Sequence, residues 1–226
     1  MHSYEVEIKV LLGTEEAKDL FMSKVQEACP GIIHTYSESQ RNHYFQWGSL
    51  TSLLSVFAPI VSDIEATKLQ DIEQTAKSYS VRTRGTPSQT IIVVKATLND
   101  ESSSNGTARI EWEVDLAPMT IEEMDTLVLS AGFTYQAKWS REREGFNLNT
   151  DTVICLDKNA GYGYLVEFER VIDDPSLVES TRSELLSMID CLGYTELDQT
   201  RLERMFDFYN KNWNEYYGTD WVFTLV

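Results

Sequence analysis

The chain reads as an α+β protein built on a large antiparallel sheet. Three observations predict this: short segments in which charged and apolar residues alternate, capped amphipathic helices at the ends, and a crowding of strand-like segments in the middle. The first segment, Tyr4 to Leu12, alternates Glu5, Glu7 and Lys9 with Val6, Ile8 and Val10, the period of a strand with one polar and one apolar face. Thr14 then starts a helix whose Ala17, Leu20, Phe21, Val25 and Ala28 recur at helical spacing, and Pro30-Gly31 closes it. Further strands are expected over His43–Trp47, Ser78–Arg84, Thr90–Leu98, Thr107–Leu116, Phe133–Arg143, Thr152–Asp157 and Tyr162–Val171.

Between and after them lie helices, four or five in all. Thr120 with Glu123 has the form of a capping box ahead of Met124, Leu127 and Val128, and Gly132 ends that helix. Leu50 to Lys77 reads as mostly helical, divided by Pro59, and forms an insertion between two strands. Past Pro175 the chain is helical to Gly193, and Thr200 to Trp213 offers one more amphipathic helix. The expected organisation is a strand-rich domain over 1–175, with its helical insertion at about 50–77, and a helical extension over 176–226 packed on the sheet.

No apolar run approaches the roughly 18 residues a membrane span needs, and the first residues carry Glu and Lys where a signal peptide is apolar, so a cytoplasmic location is expected. Cys29, Cys155 and Cys191 are far apart and odd in number, which indicates neither a disulfide framework nor a zinc site. They read as small buried hydrophobes. The formal charge of -17 disfavours nucleic acid and anionic membranes as partners.

Against that charge the placement of the basic residues is informative. Residues two apart on a strand share a face, and the pairing recurs: Glu5-x-Glu7-x-Lys9, Arg82-x-Arg84, Lys95 alone on an apolar strand, Arg109-x-Glu111-x-Glu113, Arg141-x-Arg143 and Glu167-x-Glu169. Val6, Ile8, Ile110, Trp112, Val114, Val166 and Phe168 occupy the alternate positions, so the opposite face is apolar and needs helices over it. With Asp157 the set holds seven acids and seven bases; of 36 acidic and 19 basic residues in the chain this leaves 29 and 12, so the rest of the chain carries the whole net charge. More than a third of all Lys and Arg thus stand on one face of the sheet.

Such a mixture suits a polyphosphate with metal. A triphosphate carries about four negative charges near pH 7, which Arg and Lys donors stabilise, guanidinium groups bonding phosphate oxygens in pairs. Mg²⁺ or Mn²⁺ takes carboxylate and phosphate oxygens, and Glu residues on neighbouring strands can converge on one ion.

In order along the chain, Glu5-x-Glu7-x-Lys9, Arg82-x-Arg84, Lys95, Arg109-x-Glu111-x-Glu113, Arg141-x-Arg143 and Leu156-Asp157-x-x-x-Gly161-x-Gly163-x-x-x-Glu167-x-Glu169 resemble the CYTH superfamily, the triphosphate tunnel metalloenzymes. The resemblance implies an eight-stranded antiparallel β-barrel, a tunnel holding a triphosphate, with helices packed outside. It implies metal ligands at Glu5, Glu7, Glu167 and Glu169, assisted by Glu111, Glu113 and Asp157, and triphosphate contacts at Lys9, Arg82, Arg84, Lys95, Arg109, Arg141 and Arg143. Glu5, Glu7 and Lys9 are the catalytic candidates, Lys9 as phosphate contact or general base. Where the family commonly has acids, Asn42-His43-Tyr44-Phe45-Gln46 has none.

The expected activity is metal-dependent hydrolysis of inorganic triphosphate, thiamine triphosphate or a nucleoside triphosphate, with Mg²⁺ or Mn²⁺. The alternatives are a class IV adenylate cyclase, which forms cyclic AMP and pyrophosphate from ATP, and a non-catalytic nucleotide or polyphosphate binder. The expected partner is a triphosphate-containing small molecule, bound by a monomer or homodimer.

Overall fold

A computed structural model describes residues 4–97 and 109–224, and of Arg109 the backbone alone. Leu98 and Thr107, expected at strand ends, lie outside the described residues. The elements run β1 (Tyr4–Gly13), α1 (Glu15–Ala28), β2 (Ile33–Gln46), α2 (Leu50–Phe57), α3 (Asp63–Thr75), β3 (Ser78–Gly85), β4 (Thr90–Thr97), β5 (Arg109–Asp115), α4 (Ile121–Ser130), β6 (Thr134–Asn147), β7 (Val153–Asn159), β8 (Gly163–Ile172), a 3-10 turn, α5 (Val178–Cys191) and α6 (Gln199–Tyr216). The strand order around the closed sheet is β1-β5-β4-β3-β2-β6-β7-β8, the eight-stranded antiparallel architecture expected. The described residues hold six helices rather than four or five. The stretch around Pro59 makes two, α2 capped by Ser49 and α3 by Ser62, each hydroxyl accepting a backbone N–H of the first turn.

The described chain gathers into two compact units. The first comprises 4–39 and 140–224. In it β1 pairs antiparallel with β8, β8 with β7, and β7 with β6. The even-numbered residues of these strands, Val6, Ile8, Val10, Phe146, Ile154, Leu156, Val166 and Phe168, form one hydrophobic cluster with Phe21 and Val25 of α1 and Leu185 and Ile189 of α5. Phe21 meets Phe168 edge to face, with 6.1 Å between ring centroids. Each such side chain contributes about 1.5–3 kcal/mol by leaving water, and that apolar face commits the odd-numbered residues to the other side. Thr14 caps α1, its hydroxyl accepting the Ala17 N–H. After α6 the chain returns to the sheet: Gly161 N–H donates to the Trp221 carbonyl at 2.8 Å, and Phe223 packs on Tyr162 and Phe208. The C-terminal aromatics therefore dock on their own unit.

The second unit comprises 40–97 and 109–139. Here β2 pairs with β3, β3 with β4 and β4 with β5, all antiparallel. Val81, Ile92, Val94, Ile110 and Trp112 are buried, with α4 packed on β3 and β4 and α3 on β5. The Trp112 indole donates to the Glu65 carbonyl at 3.0 Å and so fixes α3 to β5. The capping box at Thr120 and Glu123 forms as expected, and Gly132 follows α4 at φ +87°. His43, between Asn42 and Tyr44, turns toward α4: its Nδ1 lies 2.7 Å from Asp125 Oδ2, which also accepts from Tyr135 at 2.6 Å, while Thr83 donates to Oδ1 at 2.6 Å.

Two expectations need correction in detail. β2 begins at Ile33, ten residues before the expected start at His43, and β6 runs beyond Arg143 to Asn147. The early half of β2 is mostly polar and, apart from Glu38, exposed, and its two apolar residues Ile33 and Tyr36 do not alternate as a strand's would. Of the cysteines only Cys155 is buried, whereas Cys29 is half-buried and Cys191 exposed on the last turn of α5. No described helix is long and apolar enough to cross a membrane.

Candidate phosphate and metal sites

The odd-numbered residues of the first unit meet because of strand register. Glu7 stands opposite Glu169 and Lys9 opposite Glu167 across β1 and β8, Cys155 stands opposite Glu167, and Arg143 opposite Asp157. Two carboxylates directly across an antiparallel pair repel, and a sequence keeps them at a buried position only where something else compensates. One carboxylate oxygen from each of Glu5, Glu7 and Glu169 falls in a group whose members lie within 4.8 Å of one another. Burial raises the Glu169 carboxyl, and although Arg143 pulls the other way, the charges of Glu167, Glu5 and Glu7 keep it raised. Three hard oxygen donors carrying mutual repulsion fit a divalent cation of the Mg²⁺ or Mn²⁺ kind.

The other acids of this face are engaged by cations. Asp157, fully buried, accepts from Arg143 Nε at 2.6 Å, Arg143 Nη2 at 2.7 Å and Arg141 Nη1 at 2.7 Å. It fixes two guanidinium groups at once. Glu167 bonds Arg143 Nη2 and lies 3.3 Å from Lys9 Nζ, which is also 2.8 Å from Glu7. Burial alone would raise the Glu167 carboxyl, but Lys9, Arg143 and Arg141 outweigh it and hold it well below its usual range. Adjacent carboxyls thus have opposite environments: Glu167 is neutralised by cations, and Glu169 faces other acids.

Two neighbours escaped the sequence reading. Cys155 Sγ lies 3.6 Å from Glu169 Oε2, and the Tyr36 hydroxyl is 3.7 Å from the same sulfur. Cys155 was legible by parity, standing two residues before Asp157 on one strand. Tyr36 was not, because it comes from the irregular half of β2. A Cβ on Gly145 would lie 2.1 Å from the Tyr36 ring, so Gly145 makes room for it.

The second unit carries a cation-rich set. Lys95 Nζ is 3.4 Å from Glu111 Oε2, Arg82 Nη2 is 3.6 Å from Glu111 Oε1, and Arg84 Nη1 is 3.3 Å from Glu113. Neutral groups of β2 also reach these arginines, Tyr44 standing opposite Arg82 and Asn42 opposite Arg84. The Tyr44 hydroxyl accepts from Arg82 Nη1 at 2.9 Å, its ring lies 5.7 Å from the same guanidinium, and Asn42 Oδ1 accepts from Arg84 Nε at 3.3 Å. Burial acts to lower the Arg82 guanidinium, but Tyr44 and Glu111 overcome it and the group is raised. Arg82 Nε is buried without a hydrogen-bond partner. A buried donor of this kind calls for an acceptor, and a phosphate oxygen would serve. Arg109 opens β5, its side chain outside the described atoms.

Comparison with known proteins gives the family and the fold. The family model described as CYTH domain matches residues 3–201. Among solved structures, a Pyrococcus horikoshii protein aligns at TM-score 0.60 with 19% identity, over 87% of this chain and 94% of its own. A candidate adenylate cyclase from Vibrio parahaemolyticus aligns at 0.59 with 13% identity, over 88% and 95%. A candidate adenylyl cyclase from Hippeastrum, a protein with a dominant triphosphatase activity, aligns at 0.50 with 16% identity, over 85% and 90%. At these identities the likeness is one of fold. No curated protein matches the chain.

Proposed function

The chain belongs to the CYTH family, and on that premise we propose that it is a divalent-metal-dependent phosphohydrolase acting on a triphosphate compound. The observation that carries the proposal is the convergence of Glu5, Glu7 and Glu169 within 4.8 Å, beside the Lys9, Arg141 and Arg143 cations.

In this reading Glu5, Glu7 and Glu169 hold Mg²⁺ or Mn²⁺. When bound, such an ion supplies neutralisation of charge at the transferred phosphoryl group. Lys9 and Arg143 contact phosphate oxygens from the first unit, with Arg141 alongside. Asp157 and Glu167 serve as orienting acids: the bidentate grip of Asp157 presents the Arg143 fork in a single geometry, so little side-chain freedom is lost when phosphate binds. Lys9, 2.8 Å from Glu7, contacts phosphate as the ammonium or, when neutral, takes a proton from the attacking water as general base. In the second unit Arg82, Arg84 and Lys95 are phosphate contacts, Arg109 is assigned with them, and Glu111 and Glu113 hold these cations in place.

The hydrolase reading is favoured over a cyclase because the described charged faces supply donors for phosphate and ligands for metal, and the Hippeastrum protein of the same fold has a dominant triphosphatase activity. Tripolyphosphate, thiamine triphosphate and ATP, each with Mg²⁺ or Mn²⁺ and with products identified by mass spectrometry, test it. Orthophosphate from at least one substrate is expected. Cyclic AMP and pyrophosphate from ATP as the main products would establish the cyclase instead, and no product from any substrate would refute both.

A further inference from the structure

Of the three converging carboxylates, Glu5 and Glu7 stand on β1 and Glu169 on β8. The two oxygens of Glu169 have different neighbours. Arg143 Nη1 lies 3.7 Å from Oε1, and the Cys155 thiol donates to Oε2 at 3.6 Å. A thiol has one proton, and with that proton on the carboxylate the sulfur is left as an acceptor, so the Tyr36 hydroxyl, 3.7 Å away, is its donor. A chain of two neutral groups thus ends on an oxygen of the metal-ligand candidate.

The backbone is arranged to let the phenol reach the thiol. Gly145 stands directly opposite Cys155 across β6 and β7, and a Cβ there would lie 2.1 Å from the Tyr36 ring. Beside it the Thr35 hydroxyl donates to the Gly145 carbonyl at 2.9 Å, which fixes β2 to β6 next to Tyr36. The ring therefore has its place because one residue of β6 lacks a side chain. The charge of the linking groups matters as much as their position. An acid in place of Cys155 would add to the repulsion among Glu5, Glu7, Glu167 and Glu169, and an ammonium would cancel charge that a metal needs. A thiol and a phenol orient the carboxylate and leave its charge for the cation, which is the part that groups behind metal ligands play. Glu167, two residues earlier on the same strand, is treated in the opposite way, being neutralised by Lys9 and Arg143.

We propose that Cys155 and Tyr36 are positioning residues for Glu169: the phenol holds the thiol, the thiol holds Oε2, and the carboxylate is kept aligned with Glu5 and Glu7 by groups that add no charge. The proposal rests on reading Glu5, Glu7 and Glu169 as the metal site. Mn²⁺ titrated into the metal-free protein, with free and bound ion followed by electron paramagnetic resonance, tests it without recourse to turnover. Cys155→Ala is expected to weaken Mn²⁺ binding about tenfold, and Tyr36→Phe, which keeps the ring and removes the hydroxyl, roughly threefold. Cys155→Ser, which restores a donor, should recover affinity to within about threefold of wild type. Tyr36→Phe leaves the ring against Gly145, so it decides the matter even if Cys155→Ala does not fold. Unchanged Mn²⁺ affinity in Tyr36→Phe and in a folded Cys155→Ala would overturn the proposal and leave the metal reading standing. Absence of Mn²⁺ binding by the wild-type protein would remove that reading and the proposal together. Affinity in Cys155→Ser as low as in Cys155→Ala would assign the loss to packing and would also overturn it.

Discussion

Glu7 and Asp125 show how differently two buried carboxylates are used. Glu7 faces Glu169 across the strand pair, so part of its interaction in the metal-free protein is repulsive, and Lys9 keeps Glu167 at 3.3 Å when Glu7 is neutralised. Glu7→Gln is therefore expected to abolish metal-dependent turnover while changing stability by less than about 1 kcal/mol. Thermal melts in EDTA beside activity assays check this, and a large fall in melting temperature would contradict it. Asp125 is satisfied rather than strained. Burial would raise its carboxyl, but hydrogen bonds from His43, Thr83 and Tyr135 prevail and lower it, and Lys138 lies 4.0 Å away. A group whose folded value is lowered stabilises the fold above its unfolded value, near 3.9, and that contribution disappears as pH falls through the folded value. The stability difference between wild type and Asp125→Asn should thus be full at neutral pH and shrink below about pH 4, as denaturant titrations across pH would show.

At the scale of elements, β-strands were legible where one face is apolar and obscure where neither is. β1 and β8 alternate cleanly because their even-numbered residues enter the core of the first unit. The early half of β2, Ile33 to Ser39, is mostly polar and largely exposed, and only its pairing in the folded chain makes it a strand. The charged members of the site were legible for the reason the strands were, since parity puts them on one face. Their neutral companions Asn42 and Tyr44 were not, because nothing in composition distinguishes an acceptor for arginine from ordinary strand residues. Nor could parity separate Glu169, which joins Glu5 and Glu7, from Glu167, which is taken by Arg143 and Lys9. That difference depends on the register between strands far apart in sequence. The turn between β7 and β8 offers a sharp test of local geometry. Gly163 has φ +71°, and a Cβ there would lie 2.1 Å from the Gly13 carbonyl oxygen. Gly218, with φ +76°, has nothing within 4 Å of its Cβ position. Gly163→Ala should destabilise by several kcal/mol and Gly218→Ala by about 1 kcal/mol, with denaturant unfolding as the measure.

Across the whole molecule charge is sorted rather than spread. The net charge is -17, yet seven of the 19 Lys and Arg stand at the alternating charged positions of the strands. The first unit offers an acid-rich face with Glu5, Glu7, Asp157, Glu167 and Glu169 against Lys9, Arg141 and Arg143, and the second a cation-rich face with Arg82, Arg84 and Lys95 against Glu111 and Glu113. The remaining surface is acidic enough to repel polyanions that lack a specific place to bind.

The central claim, that Glu5, Glu7 and Glu169 bind the metal on which triphosphate hydrolysis depends, is tested most directly by titrating Mn²⁺ into the metal-free protein by electron paramagnetic resonance while following phosphate release from tripolyphosphate. Activity should rise in step with occupancy of a site that Glu169→Gln weakens at least about tenfold. Hydrolysis that persists in EDTA, or Mn²⁺ binding unaltered by Glu169→Gln, would contradict it.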